Sequence, residues 1–188
     1  MISPYSERAS IISQTAGPGR GGPGLPGYVV FEGEMGMQVG FYKVDEGRLC
    51  AWTATCPKRR PLQGTTMASG RDLPHDLAQF VVESTLGLHH GFWGLLANGA
   101  TFESVRRRRT KPGQQVIRMH HEALMATERV VNTHVTAWRT GTTTPAGSAL
   151  DAMLARWRAL PLGEELRAEW TTRRLPGVTG GSSRRRLK

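Results

Sequence analysis

The sequence predicts an α+β protein: a small antiparallel β-meander followed by a helical block, with disordered termini. Three observations lead there. Short runs rich in β-branched and aromatic residues, bounded by Gly or acidic turn residues, fill the stretch from Tyr28 to Thr53. From Leu73 onward, apolar residues recur at helical spacing. Both ends are dominated by Gly, Pro, Ser and Arg, a composition that buries too little apolar surface to offset its ordering entropy. The expected organisation is a Gly/Pro-rich arm over 1–27, one α+β domain over 28–172 and a basic tail over 173–188.

Taken in order, Tyr28–Glu32, Met37–Lys43 and Arg48–Thr53 predict strands, with turns at Gly33–Gly36 and Asp45–Gly47. The alternation Gln38-Val39-Gly40-Phe41-Tyr42 suits a strand buried on one face. Pro57–Gly70 predicts a loop. Leu73-Pro74 opens a helix, since the first turn tolerates a missing N–H, and Asp72 and Asp76 suit the positive end of its dipole. Gly87 stops it. A short helix from His90 to about Ala97 follows, ended by Asn98-Gly99. After Lys111-Pro112-Gly113, one long helix is expected from Gln114 to about Trp138, with Ile117, Leu124, Val131, Val135 and Trp138 on one stripe. A linker over Thr140–Pro145 precedes a helical pair, Ala146–Leu160 and Leu162–Thr172, separated at Pro161.

The chain has 188 residues, with 25 Lys+Arg against 15 Asp+Glu, a net charge of +10. This charge raises the prospect of an anionic partner. It is unevenly placed. Residues 1–70 carry 7 bases and 5 acids (+2), residues 71–105 carry 1 and 4 (−3), and residues 106–188 carry 17 and 6 (+11). No run of about 18 apolar residues suggests a membrane span, and the N-terminus has no apolar core of a secretory signal. The expected compartment is the cytoplasm. The two cysteines, Cys50 and Cys56, lack the spacing of a zinc ribbon or a redox pair, which favours reduced thiols but leaves a disulfide open.

The densest chemical signal lies in Leu73–Glu83 and Leu86–Gly94. At about 100° per residue, His75, Asp76, Gln79 and Glu83 share one helical arc while Leu73, Leu77, Phe80 and Val81 turn away. Imidazole and carboxylate at i and i+8 resemble a degraded H-x-x-x-H-x-x-x-E face, which suits zinc or iron. His89 or His90 would supply a further ligand. A divalent metal is therefore one expected cofactor, and a small metal-dependent hydrolase one expected function. The purely structural reading has Asp76 serving the helix dipole and His75 a hydrogen bond.

The residues Leu73-Pro-His-Asp-Leu-Ala-Gln-Phe-Val-Val-Glu83, Leu86-Gly-Leu88 and Gly91-Phe-Trp-Gly94 are similar to a small family of uncharacterised proteins of high-GC bacteria, with the pattern P-H-D-L-x-H-F-V-V-E, L-G-L, G-F-W-G. The resemblance covers about 30 residues, 73–102, and implies no particular activity. This chain carries Gln79 where the pattern has His.

Arg106, Arg107, Arg108, Arg109 and Lys111, with Arg184, Arg185 and Arg186 in the tail, are the candidate anion-binding residues, each able to add to a salt-dependent grip on phosphates. No helix-turn-helix, RNP or KH signature accompanies them. The Gly-rich arm lacks the strand, helix and Gly-Lys-Ser/Thr ending of a phosphate loop, and no G-x-S-x-G is present. His120, His121 and His134 predict packed or exposed positions on the long helix. The leading expectation is a non-enzymatic binding or accessory protein. It would meet an acidic partner, nucleic acid or acidic protein, through its Arg-rich C-terminal half.

Overall fold

The computed structural model describes residues 36–44, 49–57, 59–68, 73–102, 110–171 and 173–176. The expected strand Tyr28–Glu32, the N-terminal arm and most of the basic tail lie outside these residues. The fold is α+β. Three strands, β1 (Met37–Val44), β2 (Leu49–Thr55) and β3 (Leu62–Ala68), precede five described helices. The helices are α1 (His75–Leu86), α2 (Phe92–Ala97), α3 (Lys111–Met119), α4 (His121–Arg139) and α5 (Gly147–Ala159), and a fourth strand, β4 (Glu165–Trp170), ends the series. The sheet order is β3-β2-β1-β4, and each neighbouring pair is antiparallel.

Period-2 patterning builds the sheet. Met37, Val39 and Phe41 of β1, Cys50, Trp52 and Ala54 of β2, and Leu166 and Trp170 of β4 are all buried, while Gln38 and Arg167 are exposed. Against them lie Leu77, Phe80 and Val81 of α1, the residues assigned to the apolar side of that helix. Trp93 of α2 is the hub. Its ring meets Phe41, Trp52, Phe80 and Phe92 edge-on at centroid distances of 5.6, 4.9, 5.4 and 5.1 Å, the preferred geometry for aromatic pairs. From β1, Lys43 Nζ donates to the Arg158 and Leu160 carbonyls (3.1 and 2.6 Å), a cation at the negative end of α5.

Three elements differ from the sequence-based expectation. The stretch expected as the helix Leu162–Thr172 forms β4. Its Glu, Leu, Arg and Ala residues favour helix, but pairing Met37 with Trp170 and Phe41 with Leu166 buries both apolar side chains against the sheet. The expected Pro57–Gly70 loop contains β3, which pairs with β2 in a register that places Gly64 opposite Trp52. The long helix is two. It breaks at His120, whose backbone (φ −114°, ψ 16°) ends α3 and begins α4. The apolar stripe survives the break but divides. Val116 and Leu124 join Leu95, Ala100 and Leu175 in a small second core, whereas Val131 and Val135 enter the main one. Both cysteines are buried thiols not joined in a disulfide, and burial pushes the Cys56 thiol up, opposed by Arg59. No described helix is long and apolar enough to cross a membrane.

The turn from α1 to α2 is tight. Gly87 closes α1 in the left-handed conformation (φ 65°), and a methyl on Gly94 would overlap the backbone carbonyl of His89. Because the obstacle is backbone, relief requires the turn to move. Gly94→Ala is expected to destabilise the fold by about 1–3 kcal/mol, at roughly 2–4 °C of Tm per kcal/mol. An unchanged Tm in thermal unfolding monitored by circular dichroism would show that the turn has slack.

Candidate functional site

The structure separates the residues of the expected metal face. His75 and Asp76 meet, with Nδ1 and Oδ1 3.2 Å apart. The Asp76 bond raises the His75 pKa, against partial burial. Asp76 is also bound into the core: its other oxygen accepts from Trp52 Nε1 at 2.8 Å, and its backbone carbonyl accepts from Trp93 Nε1 at 3.1 Å. Glu83 is 0% exposed and faces α2. Its carboxylate accepts from the backbone N–H groups of Phe92 (2.9 Å) and Trp93 (3.0 Å), the first two residues of that helix, and from Gln79 Nε2 (2.7 Å). Gly91 permits the approach, since a methyl there would overlap the carboxylate. Gln79, where the resembled pattern has His, gives its second N–H to Glu128 of α4 at 2.7 Å. His89 packs edge-on to Trp170 at 6.0 Å, and His90 faces His120 at 5.3 Å. Burial lowers the pKa of both His89 and His90. Among the described residues no three His, Cys, Asp or Glu side chains gather closely enough to hold a metal ion. The helical arc of His75, Asp76, Gln79 and Glu83 thus divides between a pair made of exposed His75 and half-buried Asp76, and a buried helix tether.

A second constellation lies at the C-terminal end of α2. Asn98 is buried. Its Nδ2 donates to the carbonyls of Gly94 (2.9 Å) and Arg173 (3.0 Å), and its Oδ1 accepts from Leu175 N–H (3.1 Å). Three residues on, Thr101 Oγ1 accepts from Thr110 N–H (3.3 Å), and Thr101 N–H donates to the Gly113 carbonyl (3.4 Å). Arg59 donates from Nη1 to the Ala97 carbonyl (3.0 Å), capping α2 with a cation. One short turn, Asn98–Thr101, therefore anchors the chain on both sides of residues 103–109 and at the root of the tail. Arg59, Lys111, Arg173 and Arg174, all exposed, stand on these anchored segments.

No protein-family model, curated protein or solved structure matches this chain.

Of the candidate anion-binding residues, Lys111 is exposed at the first position of α3. Arg106, Arg107, Arg108, Arg109, Arg184, Arg185 and Arg186 lie outside the described residues. Asn98 and Thr101 were not singled out from the sequence. Asn98 ends α2 as the sequence predicts (φ −85°, ψ 5°), but its side-chain bonds to residues 75 and 77 positions away carry no local signal.

The tether has a pH signature. Burial pushes the Glu83 carboxyl up to about 8, against the bonds from Gln79, Trp93 and Phe92, with the charge of Glu128 adding to the rise. Between about pH 4.5 and 8 the folded chain holds a proton that the unfolded chain has released, so stability falls as pH rises through this window. The slope contributed is at most ~1.4 kcal/mol per pH unit. In urea unfolding at pH 5.5, 6.5 and 7.5, the native chain is expected to lose stability with pH relative to Glu83→Gln. Parallel profiles for the two chains would sink this assignment.

Proposed function

We propose that the chain is a non-enzymatic cytoplasmic binding protein for an acidic partner, with nucleic acid as the favoured one, and that the turn Asn98–Thr101 is the platform that presents its basic segments together. The observation that carries this reading is the pair of anchors on that turn: Thr110 to Thr101, and Arg173 with Leu175 to Asn98. Arg109 is bonded directly to Thr110. Of the 17 bases after residue 105, eight belong to the run Arg106–Arg109 and to Arg184, Arg185, Arg186 and Lys188. The turn holds Thr110, next in sequence to the first group, and Arg173 and Leu175, which precede the second, and the exposed cations Arg59, Lys111, Arg173 and Arg174 stand on the segments it anchors. Arginine suits phosphate, because its planar fork makes paired hydrogen bonds to two oxygens. The absence of a base-reading signature in the sequence favours backbone contact, which is indifferent to base order.

Such binding weakens steeply with salt, because each neutralised phosphate releases counterions. Fluorescence anisotropy with a labelled duplex of arbitrary sequence, followed across a salt series, tests the reading. Replacing Arg106, Arg107, Arg108 and Arg109 by Gln is expected to reduce the slope of log K against log salt by about 3–4. Removing the four tail bases should act in the same direction. Binding that is indifferent to salt, or to both sets of changes, would overturn the proposal. Displacement by polyglutamate as effective as by unlabelled duplex would make an acidic protein the partner instead.

A further inference from the structure

The break between α3 and α4 places His120 against His90, in the turn between α1 and α2. The two residues are 30 positions apart and lie in different interhelical junctions, so neither the spacing nor the helix periodicity of the sequence pairs them. Their ring centroids are 5.3 Å apart with planes inclined at 48°. His120 Nε2 is buried and has no hydrogen-bond partner. A buried polar nitrogen without a partner loses its hydration and gains nothing in return, so such an atom asks for a ligand.

We propose that His90 and His120 form a binding site for a divalent transition-metal ion of the zinc, nickel or copper class. The separation of the rings fits. An imidazole nitrogen lies about 2.0–2.1 Å from a bound zinc, which puts each ring centre about 3.2 Å from the ion and two rings at a tetrahedral angle about 5.2 Å apart. Neutral imidazole is the ligand these ions favour, whereas magnesium and calcium prefer oxygen. Both residues have backbones held by surrounding structure. His120 N–H donates to Val116 and Ile117 carbonyls, its own carbonyl accepts from Leu124, and the turn carrying His90 is closed by Gly91 N–H on the Leu88 carbonyl. Among the described residues no third His, Cys, Asp or Glu completes the set, so water or an incoming ligand takes the remaining positions. An ion there would bridge the α1–α2 turn to the α3–α4 break and stabilise the fold by binding only its folded form. This site is separate from the arc of His75, Asp76 and Glu83, and independent of the polyanion platform.

Titration of the full chain with zinc alone, followed by calorimetry and by the imidazole signals in NMR, tests it. One equivalent is expected to bind and to move the ring signals of His90 and His120. His90→Ala and His120→Ala should each weaken binding by at least about tenfold, while His121→Ala, at the exposed neighbour, leaves it unchanged. Copper should bind more tightly than zinc, and magnesium not at all. Saturation without movement of those two ring signals would overturn the proposal, as would no binding at all or equal binding by the two variants. The NMR arm uses the native chain, so it decides even if a variant fails to fold.

Discussion

Glu83 accepts the first two N–H groups of α2 at zero exposure, and that arrangement governs much of what surrounds it. A helix of six residues has too few internal hydrogen bonds to persist alone. The carboxylate supplies two of the missing partners at its N-terminus, Arg59 supplies one at its C-terminus, and Asn98 takes the Gly94 carbonyl. Trp93, whose N–H is one of the two, is thereby delivered to the centre of the aromatic cluster. The tether also runs outward. Gln79 divides its amide hydrogens between Glu83 and Glu128, linking α1 and α2 to α4. Removing the carboxylate leaves buried N–H groups unsatisfied, which is more damaging than the loss of an ordinary hydrogen bond.

The residues of the Leu73–Gly94 run are, in this fold, largely structural. Pro74 precedes the helix, Asp76 holds Trp52, Phe80 and Val81 enter the core, and Glu83 caps α2. Gly87 ends α1, Gly91 lets the carboxylate approach, and Gly94 makes room for the His89 carbonyl. A dense run of unusual residues is a fair sign of a site, but it is equally the sign of a tight junction in which each position has one permitted side chain. Here the junction accounts for the run.

That division explains how much of the candidate site the sequence revealed. The basic runs are visible as composition. The turn that holds Thr110, Arg173 and Leu175 is not, because it depends on Asn98 bonding Arg173 and Leu175 and on Thr101 bonding Thr110, contacts made between residues far apart in sequence or across residues 103–109. The helical arc placed His75, Asp76, Gln79 and Glu83 in the right relative order. It carried no information on which neighbours would claim them, and two opposing helices claimed Gln79 and Glu83. Likewise the pairing of His90 with His120 follows from a helix break that no Pro or Gly announces.

By itself the sequence determined the α+β class, the first two described strands, the helix from His75 to Leu86 and the apolar stripe of Ile117, Leu124, Val131 and Val135. These are local patterns, and a period of 2 or 3.6 residues is a property of neighbours along the chain. Tertiary structure alone decided that Glu165–Trp170 is a strand, that Leu62–Ala68 joins the sheet, and that one long periodic segment is two helices. In each case local preference was weak or opposed. Burial of Leu166 and Trp170 against β1, backbone pairing with β2, and the division of one apolar stripe between two cores supplied the larger free energy. The charge of +10 belongs to the sequence; the bonds that hold Thr110 to Thr101 and Arg173 and Leu175 to Asn98 belong to the fold.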